Sequence, residues 1–269
     1  MRLIDAHVHI LDDYPPLRPF EDLGRCDRLL HLMDDAGVEK AIVLPVVADF
    51  APRNNEQCAQ WALDHPDRLV NLADVQLHES DAAIAVARAR HELAAVGVSY
   101  YPSSADIAWM LGPPCDPLWE ALSEHDMVCN LQVTAPNYVV LLELATRYPD
   151  IRFVANHLGL PHTLEGDDAG YARLLVGGDL PNLFVKASAF YAAAAAPWDM
   201  RCPRALGFFA QLLEAFGPAK LLWGTDWPPV GRHLTYRQSL DIVRTFAAGL
   251  SDDDRALILG GNAACVYGA

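Results

Sequence analysis

The sequence predicts an α/β fold: one (β/α)8 barrel of parallel strands with an extra C-terminal helix, residues 1–269 forming a single domain. Three observations predict it. Eight short β-type runs recur along the chain, each followed by a longer segment with helical spacing. A length of 269 residues matches the roughly 250 of a typical barrel. Several runs with an apolar approach end on a titratable side chain, which is where a barrel enzyme carries its reacting groups. Strands alternating with helices imply parallel pairing, and eight such units favour closure over an open, doubly wound sheet.

The first four β-type runs are "LIDAHVH" (3–9), "KAIVLPV" (40–46), "RLVNLADV" (68–75) and "VGVSYYP" (96–102). The second half repeats the rhythm with "MVCNLQV" (127–133), "IRFVANHLG" (151–159), "LFVKASA" (183–189) and "KLLWGTDWP" (220–228). Between them, "DRLLHLMDDAG" (27–37) places Leu29, Leu30, Met33 and Ala36 on one helical stripe and ends on Gly37, a natural C-cap. "SDAAIAVARARHELAAVG" (80–97) opens on a Ser/Asp cap, and "YVVLLELATRYPD" (138–150) stops at Pro149. After the eighth run, "LTYRQSLDIVRTFAAG" reads as a helix, and Ser251 with Asp254 forms a capping pattern before the last one. Residues 11–26 and 190–205 break the rhythm. In a barrel they overhang the active-site face and could act as lids, while the alanine run in the second could simply extend a surface helix.

Composition narrows the function classes. With 52% apolar and 20% charged residues the chain can bury a large core. A net charge of −15 opposes binding to nucleic acid or an anionic membrane and reads as a solvated acidic surface; a small-molecule substrate is expected. Six scattered cysteines without a CxxC pair read as reduced packing residues. The opening lacks a basic, cleavable leader, and no apolar stretch approaches 18 residues, so a cytoplasmic location is expected. Self-association into a homo-oligomer is left open.

Residues two apart on a strand face the same way, so His7 and His9 can share a site, although a lone His-x-His pair arises readily by chance. What gives the pair meaning is convergence: His157 ends the sixth run and Asp226 the eighth, bringing four titratable groups to one rim. Two imidazoles and a carboxylate suit one divalent ion such as zinc, on His7, His9 and Asp226. Asp226 could instead act directly as a base on water, with His157 orienting that water or stabilising the oxyanion. Lys186, inside an apolar run, calls for a carboxylate partner. Gln132 and Trp227 are the preferred substrate-binding candidates. Tyr100, Tyr101, Tyr191 and Trp198 near strand ends are as readily packing residues, and Arg201 and Arg232 read as surface arginines. No GxSxG elbow, P-loop or GxGxxG after a strand is present.

Taken together, "IDAHVH", "NHLGLP", "VKAS", "GTDWPP" and the closing "GGNAACVYG" resemble the amidohydrolase superfamily, in the amidohydrolase-related branch that holds 2-pyrone-4,6-dicarboxylate hydrolases and sugar lactonases. The resemblance covers essentially the whole chain. It implies a barrel hydrolase acting on a small cyclic ester, with His7 and His9 as the first-strand pair, His157 as the sixth-strand histidine and Asp226 beside the reacting water. Decarboxylation of a small acid, or a non-hydrolytic binding barrel, are the alternatives. Where metal-binding relatives supply a fifth-strand histidine, this chain has Gln132, and where they often carry a fourth-strand basic residue it has Tyr100 and Tyr101. That argues against a two-metal site and leaves either one divalent ion or none.

Overall fold

The computed structural model describes all residues except 15–22, 103–105, 165–167 and 197. Its strands are β1 (Ile4–Val8), β2 (Lys40–Val43), β3 (Leu69–Asn71), β4 (Ala73–Asp74), β5 (Gly97–Tyr100), β6 (Val128–Leu131), β7 (Phe153–Ala155), β8 (Leu183–Ala187) and β9 (Leu221–Trp223). All pair in parallel, in the orders β1-β2-β3 and β4 through β9. β3 and β4 are two halves of one barrel position, parted at Leu72, whose N–H still donates to the Val43 carbonyl at 2.9 Å. The fold is therefore the expected eight-position (β/α)8 barrel. The seam between its first and last positions is closed by backbone bonds: Asp226 N–H to His7 O at 2.9 Å, and His9 N–H to Trp227 O at 2.7 Å.

The strands are shorter than the runs that announce them, because the polar ends peel off into turns that carry the site. Outside the barrel stand α1 (Cys26–Ala36), α2 (Asn54–Asp64), α3 (Ala82–Glu92), α4 (Asp116–Glu124), α5 (Tyr138–Arg147), α6 (Ala172–Leu175), α7 (Pro203–Phe216) and α8 (Tyr236–Asp241). α1 buries Leu29, Met33 and Ala36 and ends on left-handed Gly37, as its stripe predicts. The expected Ser/Asp cap of α3 is not made, since Asp81 holds the cap position without a side-chain bond. Residues 236–246 are a short helix running into a wider turn rather than one long helix. At α9 (Asp252–Ala256), Ser251 and Asp254 do form the reciprocal capping box.

Apolar packing falls into two bodies. A large one fills the space between strands and outer helices. A small one inside the barrel contains Ile4, Ile42, Leu44, Val154 and Leu222, and is closed from below by Ala263, Val266 and Tyr267 of α10 (Asn262–Tyr267). That accounts for "GGNAACVYG". A Cβ on Gly260 would lie 2.3 Å from the Arg2 carbonyl. Asn262 Nδ2 donates to the carbonyls of Pro218 and Leu221, both at 2.7 Å. The extra C-terminal helix is thus the plug of the barrel floor. All six cysteines are free. Among the described residues no helix is long and apolar enough to cross a membrane.

Candidate active site

His7 and His9 sit at the end of β1, where a register irregularity between Asp5 and Val8 breaks strict alternation. Ile4 and Ala6 belong to the interior cluster, and the two imidazoles lie directly above it. Their Nε2 atoms are 3.2 Å apart. Asp226 Oδ1 lies 3.5 Å from His7 Nε2, 3.4 Å from His9 Nε2 and 3.9 Å from His157 Nε2. The four residues that the sequence places on one rim are therefore within contact of each other, and all are buried.

Each is held from behind. Asp226 has a left-handed backbone, φ 61°, with its N–H on His7 O and its carbonyl accepting from Val230 N–H at 2.9 Å. Two residues earlier Gly224 passes so close to β1 that a Cβ would sit 3.0 Å from both His7 Cβ and His7 N. Beneath this crossing lies the wholly buried carboxylate of Asp5, which accepts from His7 N–H (3.1 Å), Thr225 N–H (2.9 Å) and Thr225 Oγ1 (2.6 Å). Burial pushes Asp5 up to about 6, against the pull of the Thr225 bonds. Asp5 thereby ties the first strand to the last.

His9 Nδ1 is 2.8 Å from the Leu44 carbonyl. A carbonyl only accepts, so Nδ1 carries a proton, and Nε2 is the atom that faces the cluster. His157 follows β7 in a run of four left-handed residues, with φ of 56° (His157), 57° (Leu158), 75° (Gly159) and 57° (Leu160). For the three that are not glycine this costs about 1–2 kcal/mol each, so the turn must be held from outside. Two buried phenols do so: Tyr138 donates to Gly159 O and Tyr171 to Leu158 O. His157 Nδ1 meets Ser188 Oγ at 2.9 Å.

The charge states follow from burial. Burial, then the charge of Lys186, holds His7 well below the usual imidazole range. Burial also lowers His157 to about 4, although Asp226 pulls the other way. Burial alone would raise Asp226, but His157, His9 and Tyr191 more than reverse it, so its carboxyl is lowered. The site therefore combines an ionised carboxylate with neutral His7 and His157.

Lys186 corrects one expectation. It is fully buried on β8, yet among the described residues no carboxylate lies within ion-pairing distance. Its Nζ instead stands 3.3 Å from His7 Nδ1 and 5.7 Å above the Tyr267 ring. Burial drives it well below the usual ammonium range. Trp227 is 2% exposed, belongs to the outer core and lines the cleft between α1 and α8. Its link to the site is its carbonyl, bonded by His9. Gln132 is half-buried just past β6, its N–H on Tyr100 O at 3.1 Å, and no side-chain bond ties it to the cluster. Arg201 is exposed and packs on Phe246.

Tyr191 is the residue that sequence reasoning undervalued. The alanine run does not extend a helix; the chain makes a tight turn at Phe190–Ala193 after left-handed Ala189, and this turn aims the Tyr191 hydroxyl at Asp226 Oδ2, to which it donates. A tyrosine three residues after "KAS", just beyond the seventh β-type run, was the available signal.

The donor set also fits a divalent ion. Ligands ~2.0–2.1 Å from a tetrahedral zinc stand roughly 3.3–3.4 Å from one another, and the three separations among His7 Nε2, His9 Nε2 and Asp226 Oδ1 span 3.2–3.5 Å. His157 is a more distant fourth donor; it forms with His7 and Asp226 a group whose ligand atoms all lie within 4.8 Å.

A parallel eight-position barrel with buried imidazoles around an ionised carboxylate at its C-terminal rim defines a barrel enzyme with an acid/base site. The chain belongs to the amidohydrolase family, whose match runs over residues 4–269. It is 27% identical over 285 aligned residues to an L-fucono-1,5-lactonase of Burkholderia ambifaria, covering 98% of this chain and 94% of that protein. An amidohydrolase of Burkholderia multivorans solved with bound zinc shares the fold at a TM-score of 0.81 and 22% identity, over 100% of this chain and 99% of that one. A probable 2-pyrone-4,6-dicarboxylic acid hydrolase of Acinetobacter baumannii, solved with citric acid, does so at 0.81 and 20% identity over 100% of both chains.

Proposed function

We propose that the enzyme hydrolyses the ester bond of a small lactone. The observation that carries this reading is the buried Asp226 carboxylate, lowered in pKa while its Oδ1 lies 3.4–3.9 Å from three imidazoles. Water placed among these groups passes a proton to Asp226 as its oxygen attacks the ring carbonyl. With the Ser188 hydroxyl, 2.9 Å away, donating to His157 Nδ1, His157 Nε2 would carry the proton that orients the water and then meets the developing oxyanion. As the tetrahedral intermediate collapses, the ring C–O bond breaks and protonated Asp226 returns its proton to the leaving alkoxide. The product is an open hydroxy acid, which ionises and releases one proton to solution.

His7, His9 and Asp226 would hold a divalent ion, and the zinc bound in the Burkholderia multivorans relative supports zinc. Bound there, it would supply Lewis-acid polarisation of the carbonyl. The lactone reading is supported by the name of the fuconolactonase relative and by that of the pyrone hydrolase.

Titration at constant pH on a panel of five- and six-membered lactones tests this. One equivalent of acid per lactone, released at a rate proportional to enzyme, is expected. Carbon dioxide release from hydroxybenzoic acids, with no acid release from any lactone, would replace hydrolysis by decarboxylation.

A further inference from the structure

A cleft of about 240 Å³ opens beside the reacting groups, lined by His9, Tyr14, Val46, Val47, Phe50 and Tyr101. We propose that it is a specificity subsite for an apolar substituent on the lactone ring, so that alkyl- or aryl-substituted lactones are preferred to polyhydroxylated or carboxylated ones. This rests on the hydrolytic reading above and names its substrate class.

Continuity with the site is the first reason. His9 belongs to both: its Nε2 is 3.4 Å from Asp226 Oδ1, and its ring lies 6.5 Å from that of Tyr101 across the cleft. A ring carbonyl held over Asp226 therefore turns its substituents toward Tyr101, Val46 and Phe50. A larger cleft of about 450 Å³ around His78 and Trp109 contains none of the reacting residues.

Chemistry is the second. Apart from His9, the described lining offers two aliphatic and three aromatic side chains, and no carboxylate, ammonium or guanidinium group. A carboxylate placed there would lose its hydration without an ion-pair partner, and a polyhydroxylated ring would exchange its water for little more than the Tyr14 and Tyr101 hydroxyls. The third reason is exposure: Phe50 is 43% exposed, its ring 6.1 Å from Tyr14, which leaves an aromatic wall facing solvent until something apolar covers it. At ~30 Å³ per water the cleft holds roughly eight waters, room for a chain of several carbons.

The test uses the unmodified enzyme on δ-valerolactone, δ-hexalactone, δ-octalactone and D-glucono-1,5-lactone, with the matching alkyl δ-lactams as non-hydrolysed ligands in calorimetry. kcat/KM is expected to climb about fourfold per added methylene, the value of burying one CH2, and to exceed that for the gluconolactone. Lactam affinity should climb in parallel. In a Phe50→Ser/Val47→Ser variant whose unfolding temperature matches the parent, the octalactone-to-valerolactone ratio should fall at least tenfold. Lactones hydrolysed with a flat alkyl series, or with gluconolactone best, overturn the subsite and leave the hydrolytic reading standing. If no lactone turns over, the hydrolytic reading falls, and the lactam series alone decides the subsite: a climbing affinity sustains it and a flat one ends it.

Discussion

The Tyr191 hydroxyl donates to Asp226 Oδ2, while Oδ1 of the same carboxylate faces His7, His9 and His157. One oxygen is thus committed to holding the carboxylate in place and the other is free for chemistry. Tyr191→Phe removes only the hydroxyl. The expected result is a fall in kcat of roughly tenfold, the scale of one lost hydrogen bond to a charged group, with KM changed less than threefold. Steady-state kinetics on any hydrolysed lactone checks it, and unaltered kcat would mean that the phenol merely packs.

The left-handed turn carrying His157 is pinned by Tyr138 and Tyr171. Replacing either by Phe leaves a buried carbonyl without its donor, at a cost of about 1–3 kcal/mol in stability. Because the turn then relaxes toward ordinary backbone angles, His157 moves away from Asp226, and kcat should drop by at least tenfold. Urea unfolding and kinetics on the two single variants measure both effects. A stability loss with intact kcat would show that the turn holds the fold and not the histidine.

At Gly224 the strands of the seam nearly touch. Gly224→Ala puts a methyl 3.0 Å from His7 Cβ and N, so the crossing must widen by a few tenths of an ångström. Activity is expected to fall at least tenfold with secondary structure unchanged by circular dichroism. Full activity would show that the register of β1 against β9 is looser than the hydrogen bonds at Asp226 and His9 imply.

Asp74 offers a pH test independent of the site. Burial raises its carboxyl to about 6, against the bonds from Ala48 N–H and Gln76 Nε2, and its Oδ1 has no partner. A raised carboxyl means that the folded chain binds the proton more tightly than the unfolded one. Its contribution is therefore neutral below about pH 4 and becomes a penalty as pH rises to about 6, reaching at most about 3 kcal/mol. Asp74→Asn removes that penalty, so the stability of the variant relative to the parent should rise between pH 4 and 6.5. A pH-independent difference would show that Asp74 titrates normally.

Much of this site was legible in the sequence, for a definite reason. Strand runs have a two-residue period and end where the barrel rim begins, so His7, His9, His157 and Asp226 could be placed on one rim without any contact information. Periodicity says which way a residue faces but not what stands opposite. Hence the phenol on Asp226, the histidine beside Lys186 and the core position of Trp227 all emerged only in three dimensions. The fourfold left-handed turn was hidden too, since three of its residues, His157, Leu158 and Leu160, are types that rarely adopt it. The closing "GGNAACVYG" was legible as a pattern but not as a floor plug, because its role depends on a close approach to Arg2 at the other end of the chain.

The metal question has its own measurement. Elemental analysis of protein purified without chelator is expected to find close to one equivalent of zinc, falling below a tenth in His7→Ala. Substoichiometric metal in an active parent would leave His7 and His9 as carbonyl-binding groups instead.

Most direct for the account as a whole is the rate of acid release from a hydrolysed lactone by Asp226→Asn beside the parent enzyme. The amide keeps the size of the side chain and its bond from Tyr191 but cannot take a proton. A fall in kcat of about 10²–10⁴ is expected, the range for loss of a positioned base, with the fold intact by circular dichroism. A variant that retains a tenth or more of the parental kcat would contradict the role of Asp226 and, with it, the mechanism proposed for this site.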